Sequence, residues 1–372
     1  MTLTLHQQEK VQRKLGSWIS SDPRRLRILA ELIVAIPLSR SVQSGDLAGN
    51  IIRDVQDKSI AQMLRRFYKN KAITWEEFYW PQVERLLKSL YVPAYYLLID
   101  TTDVGEEHRA VVLSLAYHKR SLPLVWVVVK GKKGHTSEAV QVELLRKLAT
   151  KFKPTKPVIF LGDTEFDGVT VQRELKQLNW FYVLRTSPSL YIYSRDTQVG
   201  TRLGDLVPSV DQPAQIRAEV NFTTKHQLGP VNAYACWESP HKEPLILIYH
   251  LPNQWGYSAR TTYKTRFWTE PLFGDFKEGG FRLSKSQLEH EERMEALLLA
   301  VSSSYIWMVA LGARLFALGH VSIVDHPNRR NLSIFKAGWR WFKRQIKLGR
   351  LVPFDLHLPE PFDLPPLAFS QT

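Results

Sequence analysis

The sequence predicts a mixed α/β fold: a small helical segment, a sheet that starts antiparallel, a β-rich insertion, and a return to helices. Three observations carry this. Residues 1 to about 90 hold apolar side chains at helical spacing. From Tyr95 the texture changes to continuous apolar runs of strand length, beginning with YYLLIDTT. The order from there reads three strands, helix, strand, helix, strand, which suits a mixed sheet.

Taken in order, Arg24 to Ala35, Ser59 to Lys69 and Thr74 to Leu90 read as helices, with Gly45 and Asp46 marking a turn between them. Short basic helices joined by tight turns suit a DNA-binding head, and equally a helical cap packed on the next domain. RAVVLSLAYH and LPLVWVVVK follow YYLLIDTT as strands, with a tight turn over His118 to Ser121. Ser137 to Phe152 reads as a helix, Pro157 to Gly162 as a buried strand, Asp167 to Gln177 as a helix and Trp180 to Arg185 as a strand. Residues 188–258 break the rhythm with scattered Pro and Gly and short alternating runs, and read as a β-rich insertion. Helical character returns at Arg260 and is expected to hold to about Gly319. The domain boundaries that follow are 1–90, 91–325 and 326–372, the last a basic segment with a proline-rich tail.

At 372 residues and 44% hydrophobic content the chain can bury one large core with smaller ones beside it. Its net charge of +14 points to a polyanionic partner, nucleic acid being the commonest, against the plainer reading of a basic enzyme with no such partner. A lone cysteine, Cys236, excludes an internal disulfide and a cysteine-based zinc site, and suits a reducing, cytoplasmic compartment. The first residues lack the apolar core of a signal peptide. Ala296 to Leu318 is the most apolar stretch, but Ser302, Ser303, Ser304 and Arg314 interrupt it, so it reads as a buried helix and not a membrane span.

Two carboxylates stand where strands are expected to end: Asp100 closing the first, in LIDTT, and Asp163 following the fourth, in IFLGDTEF. Strand ends are where α/β proteins gather chemistry. A third acid, Glu270, lies in the helical stretch after the insertion, with Tyr263, Arg266 and Lys277. On one straight helix these four fall within a band of about 60°. Tyr, Arg, Glu and Lys make a poor core stripe and a sensible site face. The residue types fit phosphodiester chemistry at two divalent ions: hard carboxylate oxygens hold Mg²⁺, and Arg266 and Lys277 hold the backbone phosphates. Each acid also has an ordinary reading, a turn or cap residue for the aspartates and a solvated charge for Glu270, and Asp103, Glu165 and Asp167 are competing acids close by.

At these residues the sequence resembles the insertion-sequence-4 group of DDE transposases. The group's signature, Tyr-x2-Arg-x3-Glu-x6-Lys, is matched by Tyr263, Arg266, Glu270 and Lys277 in YKTRFWTEPLFGDFK. The first Asp resembles Asp100 in its Asp-x-Thr setting, and the second resembles Asp163, with Thr164 where relatives often carry Arg. The likeness covers roughly residues 95–345. It implies a ribonuclease H-like core, a catalytic and metal-binding triad of Asp100, Asp163 and Glu270, and two Mg²⁺ ions for which Mn²⁺ can substitute. It implies cut-and-paste transposition: water frees a 3′ hydroxyl at each end, hairpin ends form in relatives, and the 3′ ends join target DNA. Double-stranded DNA with terminal inverted repeats, target DNA and a homodimer on DNA are the implied partners, in the bacterial cytoplasm at the nucleoid, with no membrane. An aromatic residue of the insertion is expected to stack on a flipped base, with Trp237 and Trp255 as candidates; packing is the plainer role for either. Pro271 departs from a smooth helix, since proline disfavours the helical conformation before it, so the helix kinks or restarts there.

Between residues 328 and 350 lie Arg329, Arg330, Lys336, Arg340, Lys343, Arg344, Lys347 and Arg350, with no acid and with Trp339, Trp341 and Phe342 interleaved. The stripe suits DNA phosphates; the alternative is a helix with its aromatics packed inside and its charges solvated, and both can hold together. Two other functions compete with an active transposase: a non-catalytic DNA-binding derivative, and another ribonuclease H-like nuclease such as a junction resolvase.

Overall fold

The fold is described from a computed structural model, covering residues 3–131, 134, 136–197, 199–238, 243–252, 258–327 and 329–367. The mixed sheet and the helical N-terminus expected from the sequence are both present. The N-terminal helices are α1 (Leu3–Gly16), α2 (Pro23–Ser39), α3 (Ser44–Ala48), α4 (Asp57–Tyr68) and α5 (Trp80–Lys88), the last entered through a π-helical turn at Trp75–Tyr79. Asp22 caps α2 by accepting the Arg24 N–H at 2.8 Å, and Pro23 supplies the preset first-turn geometry. Gly45 and Asp46, expected to form a turn, lie inside α3. An acid in a first helical turn is favoured by the helix dipole, and that outweighs the turn preference here.

Ten strands form one sheet among the described residues: β1 (Tyr95–Val104), β2 (His108–Tyr117), β3 (Arg120–Lys130), β4 (Val158–Gly162), β5 (Phe181–Arg185), β6 (Tyr191–Tyr193), β7 (Gly200–Arg202), β8 (Gln215–Phe222), β9 (Leu228–Cys236) and β10 (Leu245–His250). Their order across the sheet is β3-β2-β1-β4-β5-β10-β9-β8-β6-β7. β1, β4 and β5 run parallel, and the remaining neighbours are antiparallel. The crossover helices are α6 (Glu138–Lys151), capped by Ser137, and α7 (Val169–Gln177). The inserted strands do not fold apart: β10 pairs with β5 and carries the sheet onward.

Alternation along the strands sorts the side chains onto two faces. Leu97 and Ile99 of β1, with Phe160 of β4, enter the large core shared with the N-terminal helices. Leu98 of β1, with Ile159 and Leu161 of β4, enters a smaller core under the helix that follows the insertion. That segment is α8 (Ala259–Lys264), a 3₁₀ turn (Thr265–Trp268) and α9 (Thr269–Phe276). The expectation of unbroken helix from Arg260 to Gly319 therefore needs correction: α9 stops at Phe276, and α10 (Glu291–Ala317) begins only after a mostly irregular stretch. Pro271 sits in the first turn of α9, where its missing N–H has no helical partner to lose, so the helix restarts there.

α10 is long and apolar enough to cross a membrane, and every residue of its apolar window is buried inside the fold. Two of its three adjacent serines are satisfied locally: Ser303 donates to the Leu299 carbonyl at 2.9 Å, and Ser304 to Ala300 at 2.8 Å. Helix α11 (Ile334–Lys347) crosses it where two glycines meet. A Cβ on Gly338 would lie 1.9 Å from the Met308 carbonyl oxygen, and one on Gly312 would lie 1.9 Å from that of Ile334. From there the tail runs back across the fold in extended form, burying Val352, Phe354, Leu356 and Leu358. Gln7 of α1 holds it by donating to the Val352 carbonyl at 2.9 Å and accepting its N–H at 2.7 Å.

The backbone contact at the crossing makes Gly338→Ala costly, about 1–3 kcal/mol or more, because helix backbones must part to admit one methyl. Gly45→Ala is the control: nothing lies within 4 Å of its Cβ, so it should be neutral or mildly stabilising. Denaturant unfolding of the two variants tests the contrast.

Candidate active site

The register of two neighbouring strands builds the site. Leu98 of β1 pairs with Leu161 of β4, and pairing ends there. Two residues further on come Asp100, still within β1, and Asp163, one residue past the end of β4, on the side that Leu98 and Leu161 define. The two carboxylates thus project side by side, roughly 5 Å apart by strand spacing. Asp100 does not close its strand: β1 continues to Val104, paired with β2 alone. What ends at this level is the parallel pairing with β4, and its end opens the notch into which both acids point.

The α8–α9 segment lies over the notch. Ala259 and Tyr263, four apart, pack into the smaller core, and the next turn brings Arg266 above the acids. Its Nη2 donates to Asp100 Oδ1 at 3.1 Å and to Asp163 Oδ2 at 2.7 Å, with the side chain 12% exposed. One turn on, the Thr269 hydroxyl donates to Asp100 Oδ2 at 2.7 Å. The Thr101 N–H completes the set, reaching Asp100 Oδ1 at 2.9 Å. Burial pushes the Asp100 carboxyl above its ordinary range; Arg266 and Thr269 pull it back, and the Asp163 charge adds to the rise.

The remaining signature residues separate. Tyr263, expected among the DNA contacts, is 3% exposed with its ring edge-on to Phe267, and burial pushes its hydroxyl up to about 12. Glu270 is exposed on the first turn of α9. Together with Lys277, Asp103, Glu165 and Arg109 it lines an open groove of about 520 Å³ beside the pair. The 3₁₀ turn between α8 and α9 breaks the even 100° progression, so the four residues do not share one face. Among the described residues, no three carboxylate, imidazole or thiol groups come close enough to hold one ion. The two aspartates do suit a divalent cation: hard oxygens from both converge on one cationic nitrogen, and a charge of −2 faces a single +1. Of the stacking candidates, Trp237 is half-buried and donates its indole N–H to the Val207 carbonyl at 2.8 Å, as a packing residue does. Trp255 lies outside the described residues.

Glu165, one of the competing acids, is fixed by neighbours that sequence reading missed. Its Oε1 accepts the Thr136 N–H at 2.8 Å, the Thr136 hydroxyl at 2.7 Å and the Thr101 hydroxyl at 3.3 Å. Its own N–H reaches Asp163 Oδ1 at 3.0 Å, so the loop after β4 orients the second acid. No spacing motif links Thr136 or Thr269 to the aspartates, and only the fold brings them together.

The basic segment divides. Lys336, Arg340, Arg344 and Lys347 are exposed on α11, while Phe335, Trp339 and Phe342 of the same helix are buried. Arg329 is exposed, ahead of the helix. Lys343 is half-buried, its ammonium 5.7 Å from the centre of the Trp339 ring. Arg330, expected to face DNA, is instead 8% exposed. It donates to the carbonyls of Leu332 at 3.0 Å and Pro365 at 2.7 Å and so ties down the tail. Burial pushes its guanidinium down to about 10.

The sequence model of one family, described as "Transposase DDE domain", matches residues 94–307, more than half of the chain. The chain belongs to the DDE transposase family. It is therefore an enzyme of DNA cleavage and transposition, from a metal-dependent class. The matched span runs from the first strand of the sheet into α10 and includes both aspartates, Arg266 and Glu270. No curated protein sequence matches the transposase. Among solved structures it is similar to a piggyBac transposase synaptic complex with hairpin DNA. That likeness has a TM-score of 0.44 and 11% identity, over 92% of this chain and 78% of that one. It is less similar to Marinitoga piezophila Argonaute with a 5′-OH guide RNA, at a TM-score of 0.24 and 10% identity, over 68% and 40% of the two chains.

Asp167, also near the pair, accepts the Thr186 hydroxyl at 2.5 Å. Burial, then the charges of Glu138 and Asp163, push it up to about 6 from 3.8, against the Thr186 hydrogen bond. The folded transposase therefore binds this proton more tightly than the unfolded chain does. Its contribution falls as pH rises from about 4 to about 6. Asp167→Asn should match the wild type near pH 4 and gain on it by up to about 3 kcal/mol by pH 7. Unfolding curves of both proteins across this range test it; a difference independent of pH would contradict it.

Proposed function

We propose that the transposase is a cut-and-paste enzyme of the insertion-sequence-4 type, working on a ribonuclease H-like core, with Asp100, Asp163 and Glu270 as its catalytic acids. One observation carries the reading: Asp100 and Asp163 stand two residues beyond the last pair of two adjacent parallel strands, Asp163 just past the end of β4, and share Arg266. The strand order β3-β2-β1-β4-β5, antiparallel at its start and parallel afterwards, supports the ribonuclease H-like core. Mg²⁺ is the proposed metal, as two ions replaceable by Mn²⁺. Bound there, it would activate the attacking oxygen and stabilise the charge on the leaving one.

The chain's own residues take the following parts. Asp100 and Asp163 hold the metal, and Glu270 joins them by turning from the groove toward the pair. Arg266 leaves the carboxylates for the scissile-strand phosphate, which its planar fork suits. Lys277, on the wall of the groove with Glu270, contacts the adjoining backbone. Exposed Lys336, Arg340, Arg344 and Lys347 on α11, with Arg329, bind phosphates without reading sequence. Residues 1–90 act as a helical, DNA-contacting cap, 91–325 as the catalytic unit, and 326–372 as basic segment and strap. The substrates are terminal inverted repeats and target DNA, handled by a homodimer, with hairpin ends as the intermediate.

Asp100→Asn, Asp163→Asn and Glu270→Gln should each lower Mg²⁺-dependent cleavage of a duplex carrying the element's inverted repeats by about 10³-fold or more, with DNA binding retained. Cleavage at wild-type rate in any of them removes that residue from the site. Changing Lys336, Arg340, Arg344 and Lys347 together to Gln should weaken DNA binding and reduce the magnitude of the salt slope by about 3–4, near 0.9 for each phosphate no longer neutralised. An unchanged slope in titrations at several salt concentrations would take α11 off the DNA.

A further inference from the structure

Thr269 is fully buried, yet it is the first residue of a short helix beside a solvent-open groove. Its hydroxyl does not cap that helix. Oγ1 lies 2.7 Å from Asp100 Oδ2 and 3.1 Å from the Arg266 carbonyl. The hydroxyl has one proton to give. Given to the carbonyl, it would leave a lone pair facing the Asp100 carboxylate at 2.7 Å, which is repulsive. Given to Asp100, it forms a short charge-assisted bond and leaves only a weaker carbonyl contact. The proton therefore belongs to Asp100.

The consequence is a division of labour on that carboxylate. Oδ1 takes the Thr101 N–H and Arg266; Oδ2 takes Thr269. Arg266 can move, because a phosphate offers it another partner. Thr269 is enclosed and adjacent in sequence to Glu270, and its other acceptor within reach is the carbonyl of Arg266, on its own segment. Its bond is the direct tie between the strand that carries the first acid and the turn that carries the third.

We propose that Thr269 is a positioning residue of the cleavage site, whose hydroxyl fixes the orientation of Asp100 and anchors the Glu270 turn to it. This rests on the reading of Asp100 as a metal ligand. Thr269 acts through its neighbours and touches no reacting atom. Groups that orient metal ligands from behind are worth about 10- to 100-fold in affinity or rate when removed.

The test compares Thr269→Val, which keeps the shape and removes the donor, with Thr269→Ser, which keeps the donor and removes a methyl. Two quantities are read on the full-length protein: Mn²⁺ affinity with repeat-bearing duplex bound, from the electron paramagnetic resonance of free Mn²⁺ and corrected for the duplex alone, and the Mg²⁺ concentration giving half-maximal cleavage of that duplex. Thr269→Val should raise the Mn²⁺ dissociation constant and the Mg²⁺ requirement about 10- to 100-fold, and Thr269→Ser should stay within about 3-fold of wild type. Wild-type values in Thr269→Val, or equal defects in both variants, overturn the proposal. If Thr269→Val does not fold, Thr269→Cys makes the same comparison with a much weaker donor. Asp100→Asn separates the two readings: wild-type cleavage there refutes the site itself, whereas a dead Asp100→Asn beside a normal Thr269→Val refutes the role of Thr269 alone.

Discussion

Two like charges a strand spacing apart on one face of a sheet repel by about 3 kcal/mol at an effective dielectric near 20. Such a pair is relieved by a proton or by a cation. In this fold Arg266 supplies the cation, with Nη2 shared between Asp100 and Asp163. Much of the surrounding structure serves to hold that cation in register. Ala259 and Tyr263 seat α8 on the smaller core, and the 3₁₀ turn after α8 advances the chain so that Arg266 and Thr269 both point downward. The repulsion that the resident guanidinium relieves also makes the pair receptive to a divalent ion once the guanidinium leaves. In the mechanism proposed above, the phosphate of a DNA strand draws it away.

The large core explains why this arrangement stays rigid. α10 lies behind the sheet with its apolar window buried, Ser303 and Ser304 bonded to carbonyls of their own helix and Trp307 to the Pro353 carbonyl of the tail. α11 crosses it at backbone contact through Gly312 and Gly338, and the tail closes the far side through Gln7 and Val352. The N-terminal helices belong to the same core as the sheet: Ser304 of α10 reaches the Ile33 carbonyl of α2 at 3.1 Å, and Trp339 of α11 reaches that of Pro37 at 2.7 Å. A segment that could have been a separate head is knit into the body.

Much of this was legible in the residues, for identifiable reasons. Apolar runs such as those around Leu98 and Leu161 located the parallel strands, and once their alternation is known, Asp100 and Asp163 must face the same way. The Tyr-Arg-Glu-Lys spacing marked the right segment but misjudged its shape. A helix-wheel argument assumes one rotation per residue, and the 3₁₀ turn at Thr265–Trp268 violates it, burying Tyr263 and turning Glu270 outward. Arg330 was illegible in a different way. Nothing local distinguishes it from Arg329; its partners are carbonyls, one of them at Pro365, and a carbonyl leaves no trace in composition. Thr269 and Thr136 share that property, since a threonine that bonds a distant carboxylate looks like any other threonine.

The basic face of α11 shows how packing and charge divide one helix. Its aromatic residues are fixed by the core: Phe335 stacks on Tyr305 at 5.1 Å between ring centres, and Phe342 meets Trp307 edge-on at 4.9 Å. Their positions leave Lys336, Arg340 and Arg344 in a row of i, i+4 steps on the outer side. Like charges at that spacing destabilise a helix by a few tenths of a kcal/mol per pair. The buried aromatics offset this many times over, so the helix tolerates a row of cations that its own sequence would not favour. A polyanion lying along the row removes the repulsion and releases its own counterions, so both terms favour contact. The core thus determines where the cations stand, and their spacing suits an extended, negatively charged partner such as the DNA proposed for it.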